Sequence, residues 1–135
     1  MLSYLTIGAN DIPRSERFCS AVLGPLGYAK AEREDGVAYT LPDVPDRFNG
    51  PCAVYVRKPY GGREATVGNG SMIAFRVPAH AQVRALHSAG VAAGGTDEGA
   101  PGFRARYSKN FFVGYLHDPL GNKLVLFCTA TDQAA

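Results

Sequence analysis

The sequence predicts an α+β protein in which two tandem β-α-β-β-β modules form a curved mixed sheet around a cleft. The first observation is an internal repeat at an offset of 68 residues: "SYLTIGANDIPRSERF" (3–18) and "SMIAFRVPAHAQVRAL" (71–86) both run from a short alternating strand through a turn into a helical segment. The second is that three strand-like segments follow each helix. Two copies of so long a repeat indicate a duplicated half-domain, because solenoids use three or more shorter repeats.

Length and composition fit one domain of this class. The chain has 135 residues, of which 46% are hydrophobic, enough for a core. A formal net charge of +2 gives no reason to expect a nucleic-acid partner. No apolar run approaches the roughly 20 residues of a membrane span, and the N-terminus lacks a signal-peptide pattern. The odd set of cysteines, Cys19, Cys52 and Cys128, is expected to be buried and reduced in a cytoplasmic protein.

Both helices carry start and stop signals. In the first, Asp11 is a plausible N-cap, Pro13 lies in the first turn, and Gly24 ends the helix. In the second, Pro78 opens the helix and Gly90 is expected to end it.

Alternation along the strands gives the sheet two distinct faces. One face is purely apolar and is expected to pack on the helices; it comprises Leu5, Ile7 and Ala9, Val54 and Val56, Ile73, Phe75 and Val77, and Leu124, Leu126 and Cys128. The opposite face is mixed; it comprises Tyr4, Thr6 and Gly8, Tyr55 and Arg57, Met72, Ala74 and Arg76, and Lys123, Val125 and Phe127. Aromatic and polar groups on an alternating face favour a cleft over a plain solvent-exposed side.

The stretch "FFVGYLHDPLGNKLVLF" (111–127) places His117 beside Asp118, which raises the question of a catalytic pair. Asp118-Pro119-Leu120-Gly121 fits a β-turn between two strands of a hairpin, since Asp, Pro and Gly each suit their turn position. A dyad would also need a nucleophile and an orienting group that the sequence does not show. We therefore interpret the pair as part of the architecture.

This strand, Asp-Pro-x-Gly-Asn turn and strand, closing a duplicated β-α-β-β-β chain, resembles the glyoxalase/bleomycin-resistance/dioxygenase family, also called vicinal oxygen chelate proteins. Further matching pieces are "LTIGANDIPRSERFCSAVLGPLG", "GNGSMIAFRVP" and "GGTDEGAPGFRARY", in the order that the family has them. The resemblance covers about residues 2–129. It implies a single domain over 1–135 made of modules at about 2–58 and 70–129.

The resemblance also implies a divalent metal in the cleft, held by His, Gln or Glu from the first and last strands of each module. The matching positions in this chain are Tyr4, Tyr55, Met72 and Val125, and a loop position that is His in close relatives is Ser108. None of the four strand positions offers the carboxylate or imidazole that such a metal prefers. We therefore predict that the inherited metal site has been lost and that the protein holds no cofactor.

Members without the metal either bind a small molecule or catalyse a reaction without it. Our leading interpretation is a protein that binds a small aromatic or anionic molecule in the sheet cleft, because arginines grip carboxylates and phosphates at two points. The cleft candidates are Tyr4, Tyr55, Arg57, Met72, Arg76, Arg104, Arg106, Tyr107, Val125 and Phe127, with Tyr39 and Asn110 as weaker ones. Asp97 and Glu98 are interpreted as ordinary loop acids.

Two other functions stay open at this point. One is a metal-dependent or tyrosine-assisted lyase, isomerase or dioxygenase of the same superfamily, with Tyr4, Tyr55 or Tyr107 as acid or base. The other is an interaction module without a ligand. The resemblance further implies a homodimer, and no membrane or nucleic-acid partner is expected.

Overall fold

A computed structural model describes residues 1–131 of the chain. The elements follow one another as β1 (Tyr4–Gly8), α1 (Ile12–Leu23), a 3₁₀ turn (Gly24–Leu26), β2 (Ala29–Arg33), β3 (Gly36–Thr40), β4 (Ala53–Arg57), β5 (Ile73–Arg76), α2 (His80–Ala92), β6 (Thr96–Phe103), β7 (Phe112–His117) and β8 (Lys123–Cys128). Within this part of the chain, neither helix has the length and apolar character needed to cross a membrane.

The strands confirm the predicted duplication. They form two four-stranded sheets of identical order, β1-β4-β3-β2 and β5-β8-β7-β6. In each module the first strand pairs in parallel with the last, and the other pairs are antiparallel. The two first strands, β1 and β5, are sheet edges without a ladder between them, so each module contributes its own four-stranded sheet and the two sheets meet at this seam.

The apolar faces of both sheets and the two helices share one core. Ile7, Val54 and Val56 of the first sheet are buried in the same cluster as Leu124 and Leu126 of the second. Because the core joins the two modules, each module is held in place by apolar surface buried against the other.

The first helix follows the sequence expectation and the second does not. The Asp11 side chain accepts a hydrogen bond of 3.2 Å from the backbone N–H of Arg14, as an N-cap does. The expectation that Gly90 ends the second helix is wrong, because α2 continues to Ala92. A Cβ on Gly90 would lie 2.8 Å from a Leu116 methyl and 3.1 Å from a Val22 methyl, so this glycine serves close packing of α2 on its neighbours.

The turn after β7 is built around the buried Asp118 carboxylate. Its Oδ1 accepts backbone N–H groups of Leu120, Gly121 and Asn122 at 3.0, 2.9 and 2.8 Å. Gly121 has a φ of +113°, a conformation that glycine adopts without strain, and this explains why glycine occupies the position. The Asn122 side-chain amide donates to Asp118 Oδ2 and to the Gly8 carbonyl, so the turn also ties the second module to β1.

Two expectations about individual residues are corrected. Cys19 and Cys128 are buried free thiols, and burial raises the pKa of Cys19 to about 12, but Cys52 is only half-buried. Tyr39, a weaker cleft candidate, instead lies in the core, where its hydroxyl contacts Ser20 Oγ at 2.9 Å. Burial raises the pKa of Tyr39, so its hydroxyl is a structural group.

Candidate functional site

A cavity of about 580 Å³ opens on the mixed face of the second module. We call it the basic cavity. It is lined by Met72, Glu98, Gly99, Arg104, Arg106, Tyr107, Phe111, Tyr115 and Lys123. Strands β6, β7 and β8 and the loop 104–111 between β6 and β7 contribute most of this lining, and Met72, just before β5, completes it. The cavity is therefore built on a rigid sheet and closed on one side by a loop.

Positive charge dominates the lining of the basic cavity. Arg104, Arg106 and Lys123 form no ion pair with any carboxylate of residues 1–131. The Arg104 guanidinium is anchored on the Ala100 carbonyl at 2.8 Å. Arg104 and Lys123 both approach the ring of Tyr115, at 5.9 and 5.1 Å from its centroid. These aromatic contacts position cations whose charge is not neutralised by the protein.

Two neighbouring acids on β6 have different roles, which corrects their interpretation as ordinary loop acids. Asp97 accepts the backbone N–H of Gly99 at 2.9 Å and lies 3.0 Å from His87 Nε2. Both contacts lower the pKa of Asp97, and the hydrogen bond from the Gly99 N–H has the larger effect. Glu98 instead lines the basic cavity, with its Oε2 3.7 Å from Nδ1 of His117. His117 thus faces Glu98, while the Asp118 carboxylate is occupied by its turn.

Aromatic side chains continue from the basic cavity along the sheet. Tyr107 and Phe111 have ring centroids 6.0 Å apart, and Phe111 and Phe127 are 5.6 Å apart. The guanidinium of Arg76 lies 4.7 Å from the centroid of Phe127, and Arg76 also donates to Thr129 Oγ1 at 2.6 Å. Phe127 and Arg76 therefore lie next to the residues that line the basic cavity but do not line it themselves.

The predicted site residues fall into two groups in space. Met72, Arg104, Arg106 and Tyr107 line the basic cavity together. Tyr4, Tyr55 and Arg57 lie on the first module instead, where the rings of Tyr4 and Tyr55 meet edge to face at 5.5 Å and Arg57 pairs with Asp35. Val125, on β8 between Lys123 and Phe127, is fully buried, so it lines no surface.

In the first module the loop 41–52 folds back over the part of the mixed face around Tyr55, while Tyr4 and Thr6 on β1 stay exposed. The Tyr55 hydroxyl donates to the backbone carbonyl of Phe48. The guanidinium of Arg33 lies between the rings of Phe48 and Tyr55, 5.5 and 5.7 Å from their centroids. In the first module these aromatic and cationic side chains therefore contact each other.

A second and larger depression, of about 680 Å³, lies between the edge strands β1 and β5. We call it the seam groove. Its lining is mostly apolar and comprises Leu2, Leu5, Pro25, Leu26, Tyr28, Leu41, Cys52, Met72, Ile73, Ala74, Phe75, Arg76, Pro78 and Gln82. Size alone would favour this groove as the site. The smaller basic cavity is the better candidate because several charged groups converge on it.

The four positions that hold a metal in the family do not fit one here. Val125 has no donor atom, and the Tyr55 hydroxyl is bonded to a backbone carbonyl. The thioether of Met72 is a soft ligand that a hard or borderline divalent ion does not prefer, and Tyr4 is an uncommon ligand. Among residues 1–131, no group of three or more His, Cys, Asp or Glu side chains is placed to hold a metal ion.

Sequence reasoning did not include five residues of the basic cavity among the cleft candidates: Glu98, Gly99, Phe111, Tyr115 and Lys123. A signal existed for two of them. Tyr115 pairs with Val125 across the β7–β8 ladder, and Lys123 is on the same strand two residues from Val125, so both belong to the mixed face. Glu98 had no such signal, because β6 is irregular, with register shifts on both sides of Gly99.

Comparison with solved structures identifies the class of protein. The chain is similar to a glyoxalase/bleomycin resistance protein from Albidiferax ferrireducens T118, with 32% identity and a TM-score of 0.79 over 96% of this chain and 99% of that chain. A glyoxalase-related enzyme from Fulvimarina pelagi has 19% identity and a TM-score of 0.71, over 95% and 87%. A lactoylglutathione lyase from Agrobacterium tumefaciens has 16% identity and a TM-score of 0.63, over 95% and 92%. The last two show the fold alone.

No protein-family model and no curated protein matches the sequence. The similarity to the Albidiferax ferrireducens protein, at 32% identity over 96% of this chain, is nevertheless sufficient to assign the family. The chain belongs to the glyoxalase/bleomycin resistance/dioxygenase family.

Proposed function

We propose that this protein binds a small aromatic or amphipathic anion in the basic cavity, without a metal. The observation that carries the proposal is the convergence of Arg104, Arg106 and Lys123, all without ion-pair partners in residues 1–131, on one aromatic-lined cavity of about 580 Å³. Pockets of this size take small organic ligands. Three cations that face one space attract an anion, and planar guanidinium groups suit carboxylate, sulfonate or phosphate.

The aromatic lining supports an organic anion over an inorganic one. Tyr107, Phe111 and Tyr115 offer ring surface around the charged groups. Apolar surface removed from water contributes roughly 25 cal/mol per Å², so a ligand with an aromatic or aliphatic part gains affinity that a bare phosphate would not. Binding should weaken with added salt, since exposed charges are screened over about 8–10 Å at ordinary ionic strength.

Calorimetric titration with 2-naphthalenesulfonate tests the proposal, because this probe is a permanent anion with an aromatic body. Arg106→Gln with Lys123→Gln should weaken binding by about tenfold or more, since hydrogen bonds to charged groups contribute roughly 1.5–3 kcal/mol. Within residues 1–131 neither side chain forms a hydrogen bond, and each only contacts a ring, Arg106 that of Tyr107 and Lys123 that of Tyr115, so the cavity wall should persist. Arg14→Gln, on the exposed face of α1, is the matched control and should bind like the unmodified protein.

Equal binding by the double variant and the Arg14→Gln control would contradict the proposal. So would equal affinity for 2-naphthalenesulfonate and for a neutral naphthalene derivative of the same size. In either case the cations of the basic cavity would not be recognising the ligand.

The absence of a metal requirement is a separate part of the proposal. It is supported by Tyr4, Tyr55, Met72 and Val125 at the four family positions, which together supply no carboxylate or imidazole. Calorimetry with Zn²⁺, Ni²⁺, Mn²⁺ and Fe²⁺ at neutral pH should detect no tight stoichiometric binding. One equivalent bound at sub-micromolar affinity would overturn the metal-free proposal and favour the metal-dependent enzyme.

The homodimer and the cytoplasmic location both stay predictions. Family membership supports the homodimer, since paired halves build the cleft in many members of this family. Sedimentation velocity at several protein concentrations tests it directly, and a mass of one chain throughout would contradict it.

A further inference from the structure

The basic cavity and the seam groove adjoin along the mixed face of one strand. Met72, Ala74 and Arg76, which alternate along β5 and just before it, all line the seam groove. Met72 also lines the basic cavity. The two depressions therefore share a wall at Met72, at the edge of the second sheet. The basic cavity lies on one side of this wall and the seam groove on the other.

Ala74 has the shortest side chain of these three residues. It is exposed, and it stands between the long side chains of Met72 and Arg76. Arg76 is held to one side by its contacts with Phe127 and Thr129. Met72 is half-exposed and unbranched, so its thioether can change rotamer at low cost. A chain of methylene groups can cross the sheet edge over Ala74.

The two depressions differ in chemistry as the two ends of an amphipathic molecule do. The basic cavity holds three cations, whereas the seam groove beyond Ala74 is lined by Leu5, Leu26, Phe75 and similar apolar groups. A compact aromatic acid would leave this groove to water. An anion with a long hydrocarbon body would place its charged head against the cations and its hydrocarbon body against the apolar lining.

We infer that the ligand of this protein is an amphipathic anion with an extended hydrocarbon body, whose charged head lies in the basic cavity and whose body crosses Ala74 into the seam groove. This inference rests on the proposed anion binding and narrows the ligand class. It makes Ala74 a determinant of ligand length, although Ala74 does not line the basic cavity.

A series of linear alkyl sulfonates from butyl to decyl, titrated below their micelle concentrations, tests the inference. The affinity of the unmodified protein should rise with length by up to about fourfold for each methylene that is buried. Ala74→Phe should abolish this rise beyond the shortest members and leave benzenesulfonate affinity unchanged. Ala74→Val should give an intermediate loss.

Both variants are expected to fold, because β-branched and aromatic residues are favoured at exposed strand positions. Urea midpoints check this directly. Ala92→Phe is the matched control, since Ala92 is exposed at the end of α2 and lines neither depression; it should retain the full dependence on chain length.

The possible failures are distinguishable. If benzenesulfonate binds and depends on Arg106 and Lys123, but affinity does not rise with chain length or Ala74→Phe keeps the rise, the inference is wrong and the proposed anion binding stands. If no sulfonate binds, or binding ignores the two cations, the proposed function itself fails. A dimer that Ala74→Phe dissociates, with no dependence on chain length, would assign the groove to a second copy and overturn the inference.

Discussion

The two modules share one backbone topology and place their long loops differently. In the first module β2 and β3 are joined by a tight turn, and the long connection is 41–52, between β3 and β4. In the second module the long connection is 104–111, between β6 and β7, and β7 and β8 are joined by the tight turn 118–122. The first long loop folds over the mixed face around Tyr55, whereas the second borders the basic cavity.

The same chemical groups consequently have different roles in the two halves. In the first module Arg33 stacks on Phe48 and Tyr55. In the second module Arg104 and Lys123 contact Tyr115 and still face open space. Both modules keep the same strand order, and the second long loop contributes part of the lining of the basic cavity.

The largest expected effect is on the tight turn between β7 and β8, whose counterpart in the first module is the long connection 41–52. Gly121→Val should destabilise the protein by about 2–3 kcal/mol, because a β-branched residue at a φ of +113° is strained. The new Cβ would also lie 3.1 Å from a Val67 methyl. Urea denaturation measures the change, and Gly61→Val, in an open first-half loop, is the control with little expected loss. Similar losses in both variants would contradict the turn argument.

Asp118→Ala should destabilise by about 1–3 kcal/mol, because three backbone N–H groups lose a buried acceptor. Asp118→Asn retains one side-chain oxygen and should lose less. Urea midpoints order the three proteins, and sulfonate titration of the folded variants should show unchanged affinity. If Asp118→Ala kept its stability and lost ligand binding, the turn would have to be reinterpreted as part of a chemical site.

Phe48→Ala tests whether the loop 41–52 alone distinguishes the modules. Removing the ring takes away the Arg47 stacking contact and one of the two ring contacts of Arg33, which keeps Tyr55, at a cost of about 0.5–1 kcal/mol in stability. We expect calorimetry to show a second sulfonate equivalent with a dissociation constant of about 1 mM. Adding Arg47→Gln should remove it again. If Phe48→Ala still binds one sulfonate per chain, then the loop 41–52 is not the only feature that keeps the first module from binding an anion.

Glu98→Gln should tighten sulfonate binding by about two- to fivefold, because the carboxylate is the one negative side chain among the described residues that line the basic cavity. Asp43→Asn removes the same charge from an exposed first-half loop and should change little. Weaker binding in Glu98→Gln would indicate that the ligand offers a hydrogen-bond donor to this carboxylate.

The smallest effect is expected at His117. His117→Gln should change the free energy of unfolding by less than about 0.5 kcal/mol, since the side chain is partly exposed and its contact with Glu98 is long. Sulfonate affinity should stay within twofold of the unmodified protein. Full stability combined with abolished binding would show that His117 belongs to the site.

The duplication, the two faces of the sheet, the Asp11 cap and the Asp118 turn could all be predicted from the sequence. Each depends on contacts between near neighbours along the chain, such as alternation in a strand or an aspartate that accepts N–H groups two to four residues ahead. The family could be predicted for the same reason, because its pieces are local and occur in a fixed order.

The tertiary structure decided which of these local features form a site. Gly90 looked like a helix end, and only its contacts with Val22 and Leu116 show why the helix continues through it. The contact that covers Tyr55 on the first mixed face depends on the path of the loop 41–52. A loop has no periodicity from which its path can be predicted, and the surface that it covers lies on residues distant in the chain.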